Sequence, residues 1–361
     1  MDNIKKYELL SLTPDELVAL MGELGEPKFR AKQLFEQMHR GLSPDDMSNI
    51  GKVTREKIYS VATFHLPAVR RKLVSKIDGT VKYLFELSDG HCVESVVMKY
   101  KHGNTICVSS QVGCRMGCVF CASTIGGRVR DLSAGEIVGQ VIAAQKDMGE
   151  RISNIVMMGI GEPLDNYDNV IKFLHIVNHE YGLNIGYRHI SLSTCGIIDK
   201  IYRLREENLP LTLSISLHAA DDETRSAIMP INQKWNIKEL LSACVTYYQR
   251  TSRRISFEYT LIAGKNDTGE DARALARLLL SHFKPIGAPV HVNLIRVNEV
   301  KETGMSESSV DAANSFARTL TGLGVTATVR RRLGADIDAA CGQLRAARMG
   351  KTEDKWNETE K

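Results

Sequence analysis

Three cysteines, Cys114, Cys118 and Cys121, fall within the run Gly113-Cys114-Arg115-Met116-Gly117-Cys118-Val119-Phe120-Cys121. A turn holding three thiolates can wrap three corners of a cubane iron–sulfur cluster and leave the fourth iron open to a small molecule. A structural zinc site would normally want a fourth Cys or His, and a chance group of buried thiols is the other bland alternative. The spacing, the position just after a strand and the β/α series that follows together favour the cluster. Of the eight cysteines in the chain, the other five are Cys92, Cys107, Cys195, Cys244 and Cys341. By residue type alone each reads as a buried, inert thiol, since free cysteine is among the most buried residue types. Glu94, in Val93-Glu94-Ser95-Val96, would as an ordinary strand glutamate face water, and His218 alone would be a satisfied core histidine.

The elements that must position these residues change character along the chain. Up to about residue 68 the pattern is one of short helices, with Thr13-Pro14-Asp15 as an N-cap and first turn, and Leu17 to Met21 as an apolar stripe. This predicts a small helical accessory domain over 1–68. Residues 69–103 read as a β-hairpin linker turning at Ser88-Asp89-Gly90. From 104 to 344 strands and helices alternate, with candidate strands near 105–110, 154–160, 188–194, 211–217, 255–262 and 290–297. Ser133 and Glu136 form a capping box on the first helix of the series. Right-handed β/α units in series curl toward a barrel, and six of them make a partial one, so the predicted class is α/β, a partial (β/α)6 barrel. Residues 345–361 are charged, lack periodicity and read as a polar C-terminal tail. A length of 361 residues, 43% hydrophobic and 25% charged with net charge +4, is ordinary globular composition. It permits a nucleic-acid partner without demanding one. No apolar run is long enough to span a bilayer and no secretory leader is evident, so a cytoplasmic protein with no membrane partner is expected.

The triad resembles that of radical S-adenosylmethionine (SAM) enzymes, and further motifs narrow the resemblance. Cys107-Val108-Ser109-Ser110-Gln111, Gly159-Ile160-Gly161-Glu162-Pro163-Leu164, Ser191-Leu192-Ser193-Thr194, Ser216-Leu217-His218, Asn293-Leu294-Ile295 and Asp336 to Leu344 resemble, in order, the RlmN/Cfr family over about residues 15 to 350. That resemblance implies a 4Fe-4S cluster on Cys114, Cys118 and Cys121, and two molecules of SAM per turnover. It also implies cofactor contacts from Gly161, Glu162, Ser193, Ser216, Leu217, His218 and Asn298. An adenine carbon between two ring nitrogens is too electron-poor to attack an electrophilic methyl group. The family implies a detour in which one SAM methylates Cys341 and a second is cleaved to a radical that activates the S-methyl group for addition to the ring. Cys107 then releases the product by forming a transient disulfide with Cys341, and Glu94 transfers a proton. Implied substrates are 23S rRNA and the tRNA adenosine next to the anticodon, with flavodoxin or ferredoxin as electron donor and a monomeric enzyme.

Regiochemistry is the finer question. Pro163, the tract Gly161 to Val170 and the tail Gln343-Leu344-Arg345-Ala346 resemble the RlmN branch, which methylates C2. Arg296 resembles the Cfr branch, which methylates C8 and confers antibiotic resistance. A non-catalytic RNA-binding module with a structural zinc is the alternative from another class. Basic clusters that could meet phosphates lie at Arg70-Arg71-Lys72 with Lys76, at Arg250, Arg253 and Arg254, and at Arg330-Arg331-Arg332. The last is favoured for its place beside Cys341.

Overall fold

Thr13 starts the first helix as the predicted N-cap, and the cap is reciprocal: its side chain accepts from Glu16 N, and the Glu16 carboxylate accepts from Thr13 N at 2.8 Å. The computed structural model describes residues 7–298, 304–339 and 347–348, the last pair by backbone alone. The N-terminal segment holds β1 (Tyr7–Glu8), α1 (Pro14–Glu23), α2 (Phe29–Met38), α3 (Lys52–Val61) and β2 (Ala62–Thr63), with β1 and β2 paired in parallel. Leu17, Leu20, Leu34, Phe35 and Met38 bury one face of these helices in a core continuous with that of the rest of the chain.

Next come β3 (Ala68–Val74), β4 (Val81–Glu86), β5 (His91–Tyr100) and β6 (Gly103–Cys107), an antiparallel meander. The hairpin turn at Ser88-Asp89-Gly90 forms as predicted, closed by Leu87 N donating to His91 O. These strands do not form a linker, however. They run straight into the main sheet, because β6 pairs on its other edge with β9.

The short pair β7 (Gln111–Gly113) and β8 (Arg128–Asp131) precedes α4 (Ala134–Met148). The order is then β9 (Ile152–Met157), α5 (Tyr167–Asn178), β10 (Ile190–Thr194), α6 (Ile198–Glu207) and β11 (Thr212–Ser216). It continues with α7 (Asp222–Ile228), α8 (Ile237–Thr251), β12 (Ile255–Leu261), α9 (Gly269–Phe283), β13 (His291–Arg296), α10 (Val310–Gly322) and β14 (Thr326–Val329). Strands β6, β9, β10, β11, β12, β13 and β14 all run parallel to one another. This is the expected partial barrel, extended by one strand, β14, beyond the six predicted from the sequence. A further short strand, β15 (Ala347–Arg348), returns antiparallel onto β5, so part of the stretch predicted as a tail is tied to the sheet.

Register divides every strand into two faces. Leu192, Leu213, Ile215, Phe257, Tyr259, Val292 and Leu294 are buried in the hydrophobic core. The alternate residues point inward and are polar: Ser193 pairs with Ser214 and Ser214 with Ser256, while Ser216 pairs with Glu258 and Glu258 with Asn293. A barrel packed with aliphatic side chains would be a plug. This one has a polar lumen.

The N-terminal segment docks on α4 through close contacts that need glycine. Gly135 N donates to Ser11 Oγ at 2.7 Å, and a Cβ on Gly139 would sit 2.5 Å from Pro67 Cδ. Gly139→Leu, although leucine is the better helix former, is therefore expected to cost about 1–3 kcal/mol by overpacking. Urea unfolding checks this; a variant as stable as the parent removes the contact as the reason for glycine.

Candidate active site

The strand pair β7·β8 makes the cysteine loop a closed excursion rather than a free turn. Cys114 N donates to Gly127 O at 3.0 Å across its neck. A Cβ on Gly113 would lie 1.9 Å from that same oxygen, and Gly113 has φ +76°, so no other residue fits there. Within the loop Cys121 N donates to Cys118 O, Thr124 Oγ1 donates to Cys121 O at 2.9 Å, and Val119 N donates to Ile228 O at the end of α7. Asp165 anchors the outside, accepting from Arg115 Nε at 3.0 Å and Gln111 Nε2 at 3.0 Å.

All three thiols line a cavity of about 930 Å³, counted to its open mouth, at the C-terminal end of the parallel strands. Gly161, Glu162, Ser193, Ser216, His218 and Asn298 line it as well. Of the predicted cofactor contacts, Leu217 stands apart. Its side chain is fully buried in the core, and its main chain is what serves the site: N donates to Glu258 O and the carbonyl accepts from Arg225 Nε.

Glu162 Oε2 accepts from Cys195 N at 2.8 Å and Oε1 from Leu164 N at 3.0 Å, which fixes the carboxyl at the cavity wall. Burial pushes its pKa above the usual carboxylate range. His218 adopts a left-handed backbone, φ 60°, and its Nδ1 accepts from Thr260 N at 2.9 Å. An acceptor at Nδ1 places the proton of the neutral ring on Nε2. Burial agrees, lowering its pKa to about 3. The ring meets Phe120 edge to face, with centroids 5.0 Å apart.

Two residues that sequence reasoning missed organise this wall. Arg225, 1% exposed, donates to the carbonyls of Cys195, Ser216 and Leu217 and to Asn232 Oδ1, stapling the ends of β10 and β11 together. Nothing local distinguishes it from a surface helix arginine. Glu258, lining the cavity, accepts from Asn293 Nδ2 at 2.6 Å and Ser256 Oγ at 3.2 Å, and burial raises its pKa. Here a signal existed: Glu258 occupies a polar position in the alternating run Ile255 to Leu261.

Glu94 and Cys107 do not line this cavity. Glu94 is 2% exposed, not solvated, and its Oε1 is 3.1 Å from Lys82 Nζ. Register puts Glu94 opposite Leu84, Lys82 opposite Val96, and Val96 opposite Cys107, so Glu94, Lys82 and Cys107 share the inner face. Cys107 is buried at the end of β6. Cys341 lies outside the described residues, as does the tract 343–346.

The donor set suits a polynuclear cluster: the loop 114–127 offers three thiols lining the cavity and no further Cys, His, Asp or Glu, the number of protein ligands that a cubane with one open iron takes. The thiols of a cubane each bind a different iron and stand further apart than ligands around one zinc. Burial pushes Cys114 up to about 12 and Cys118 higher still, so only a bound cation would hold them as thiolates. Gly113→Ala is expected to lose most of its iron and sulfide after anaerobic reconstitution. Gly126→Ala, in the same loop but with nothing within 4 Å of its Cβ, should retain them. Equal retention would show that the loop neck does not govern the site.

Comparison with known proteins agrees with this geometry. Residues 108–279 match the Radical SAM superfamily, and residues 7–64 match the ribosomal RNA large subunit methyltransferase N-terminal domain. The chain is 52% identical over 339 residues to a probable dual-specificity RNA methyltransferase RlmN of Clostridium novyi, covering 93% of this chain and 97% of that one. It is 52% identical over 356 residues to the protein of the same name from Clostridium acetobutylicum, covering 98% and 100%. The fold matches the crystal structure of a radical SAM methyltransferase from Sphaerobacter thermophilus with a TM-score of 0.88 at 40% identity, covering 94% of this chain and 99% of that one. With a closed three-cysteine loop at the mouth of a partial barrel and both segments matched, the chain belongs to the RlmN family of radical SAM methyltransferases.

Proposed function

We propose that this enzyme methylates C2 of an adenosine in 23S rRNA and of the adenosine next to the anticodon in tRNA. In this reading Cys341 carries the methyl group, two SAM molecules are used per turnover, and Cys107 resolves the protein–RNA adduct as a transient disulfide. The observation that carries it is the arrangement just described. A three-thiol cavity opens at the strand ends, and a buried Glu94 and Cys107 share the inner face of the same sheet.

Membership of the family implies a 4Fe-4S cluster and SAM. Bound together, they supply one-electron reduction and hydrogen-atom abstraction, which the protein's own side chains cannot perform. The cluster would be held by Cys114, Cys118 and Cys121. The Glu162 carboxyl and the neighbouring main chain would receive the cofactor's ammonium, with Gly161, Ser193, Ser216, His218 and Asn298 completing the wall and Leu217 contributing through its backbone. His218, neutral, can donate only through Nε2. Cys107 needs a thiolate to attack, and Glu94 is the nearby carboxyl for moving a proton.

RNA contacts are proposed at Arg330, Arg331 and Arg332. They line a groove of about 460 Å³ together with Asn298, which also lines the cavity. The other two basic clusters are less suited. Arg70 and Lys72 sit on β3, no residue of which lines the cavity or the groove, and are paired with Glu86 and Asp147, as Arg332 is with Glu307. Arg250, Arg253 and Arg254 precede β12 and so lie at the opposite end of the barrel. Arg296, which points to C8 chemistry, lines this groove rather than the cavity and is paired with Glu307 at 3.2 Å. Among the described residues no helix is long and apolar enough to cross a membrane. A cytoplasmic monomer served by flavodoxin or ferredoxin completes the proposal.

RNA deuterated at adenine C8 tests the regiochemistry. Retention of deuterium in the methylated nucleoside is expected; its loss would move the enzyme to C8 chemistry. The thiols should fail at different stages. Cys341→Ala should form no RNA adduct, whereas Cys107→Ala should accept the methyl group, add to the adenine and accumulate as a protein–RNA crosslink on a denaturing gel. Identical behaviour of the two variants, with no crosslink from either, would refute the division of roles.

A further inference from the structure

The turn between β3 and β4 grips a segment more than 250 residues away in sequence, and it does so reciprocally. Asp78 Oδ2 accepts from Gly334 N at 2.9 Å, while Asp336 Oδ2 accepts from Lys76 N at 2.9 Å. Both carboxyls are held below their usual range: Asp336 by its hydrogen bond from Ser75, and Asp78 by bonds from Thr80 and Gly334 that outweigh its desolvation. The approach is tight. Gly334 has φ +61°, and a Cβ there would lie 2.7 Å from Ala339 Cβ and 3.0 Å from Thr80 Cγ2. The segment then turns through Asp338, also left-handed at φ 47°, toward Cys341.

Below this clasp, Lys82 on β4 reaches in two directions. Its Nζ lies 3.1 Å from Glu94 Oε1 and donates to Asp338 O, also at 3.1 Å. The lysine side chain is only 7% exposed and that of Glu94 only 2%. A buried lysine persists only where its charge and its donors are met, and a carboxylate and a main-chain carbonyl meet them here. A surface ion pair in this position would be interchangeable with many others; a desolvated one is not.

The geometry points to Lys82 as a positioning residue: one ammonium holds both the Glu94 carboxylate and the Asp338 carbonyl, so the proton-transfer group and the segment delivering Cys341 take their places together. This rests on the reading of Glu94 and Cys341 given above. It goes beyond that reading in assigning a role to Lys82, which acts through Glu94 and the Asp338 carbonyl.

The test uses the full-length protein with Lys82→Met, Lys82→Arg, Glu94→Gln and the double variant Lys82→Met/Glu94→Gln. One readout is amide hydrogen exchange over 334–339, which requires no cofactor. The other is the rate at which the protein–RNA crosslink is resolved by the reconstituted enzyme. Lys82→Met should raise exchange across 334–339 at least tenfold and slow resolution at least tenfold, with iron content unchanged. Lys82→Arg, which keeps the charge and the donors, should restore both to within a few fold. Glu94→Gln should slow resolution yet leave 334–339 protected.

A Glu94→Gln enzyme that resolves at the parental rate would refute the role of Glu94 itself, separately from this proposal. A protected 334–339 segment with parental resolution in Lys82→Met would overturn the proposal. So would Lys82→Arg as defective as Lys82→Met, since packing rather than charge would then explain the residue. If Lys82→Met does not fold, the double variant, which removes both charges, decides by exchange alone: a loosened segment supports the coupling and a protected one refutes it.

Discussion

A hydroxyl or carboxyl placed inside a folded chain must find a partner or cost about 1–3 kcal/mol, and more if charged. The lumen of this sheet is built from such groups. Ser191 Oγ meets Ser214 Oγ at 3.1 Å, Ser256 and Asn293 both donate to Glu258, and Thr328 Oγ1 donates to Asn293 Oδ1 at 3.2 Å. Each bond crosses from one strand to another or along one face, so the network exists only in this register. A slip of one residue would turn the polar set onto the helices and the apolar set into the lumen. The polar interior thus specifies the sheet as much as the apolar exterior stabilises it.

The same logic governs the rim. A barrel that does not close has strand ends whose carbonyls and amides need partners, and Arg225 supplies several at once. Its partners are neutral acceptors, so the guanidinium acts as a multidentate donor between two loops rather than as half of an ion pair. Glu162 does the converse, accepting main-chain N–H groups from its own turn and from the loop after β10. One donor hub and one acceptor hub hold the loops that form the cavity wall in a fixed relation.

How far the sequence could be read follows from which of these relations are local. The caps at Thr13 and Ser133, the six β/α units and the cysteine loop after the first parallel strand are legible because neighbours within a few residues determine them. The lining residues Gly161, Glu162, Ser193, Ser216 and His218 were legible as strand-end positions matching a family pattern. The burial of the Leu217 side chain was not legible, because a motif shows which residues recur together, not whether backbone or side chain faces the site. Lys82, Glu94 and Arg225 were opaque for another reason. A charged residue in an alternating strand or on a short helix looks solvated until the partner that buries it arrives from another part of the chain. The continuation of the 69–103 hairpin into the sheet likewise depends on β6 offering its second edge to β9, a contact no local pattern announces.

The return of β15 onto β5 gives the segment around Cys341 two fixed ends. Ala339 N donates to Gly334 O beside the β3–β4 turn, and Ala347 pairs with Cys92. The second anchor belongs to the antiparallel side of the sheet, and so does the Lys82 ammonium that holds Asp338 O beside the first. The antiparallel strands, which contribute no residue to the cavity lining, thus hold the chain on both sides of 340–346.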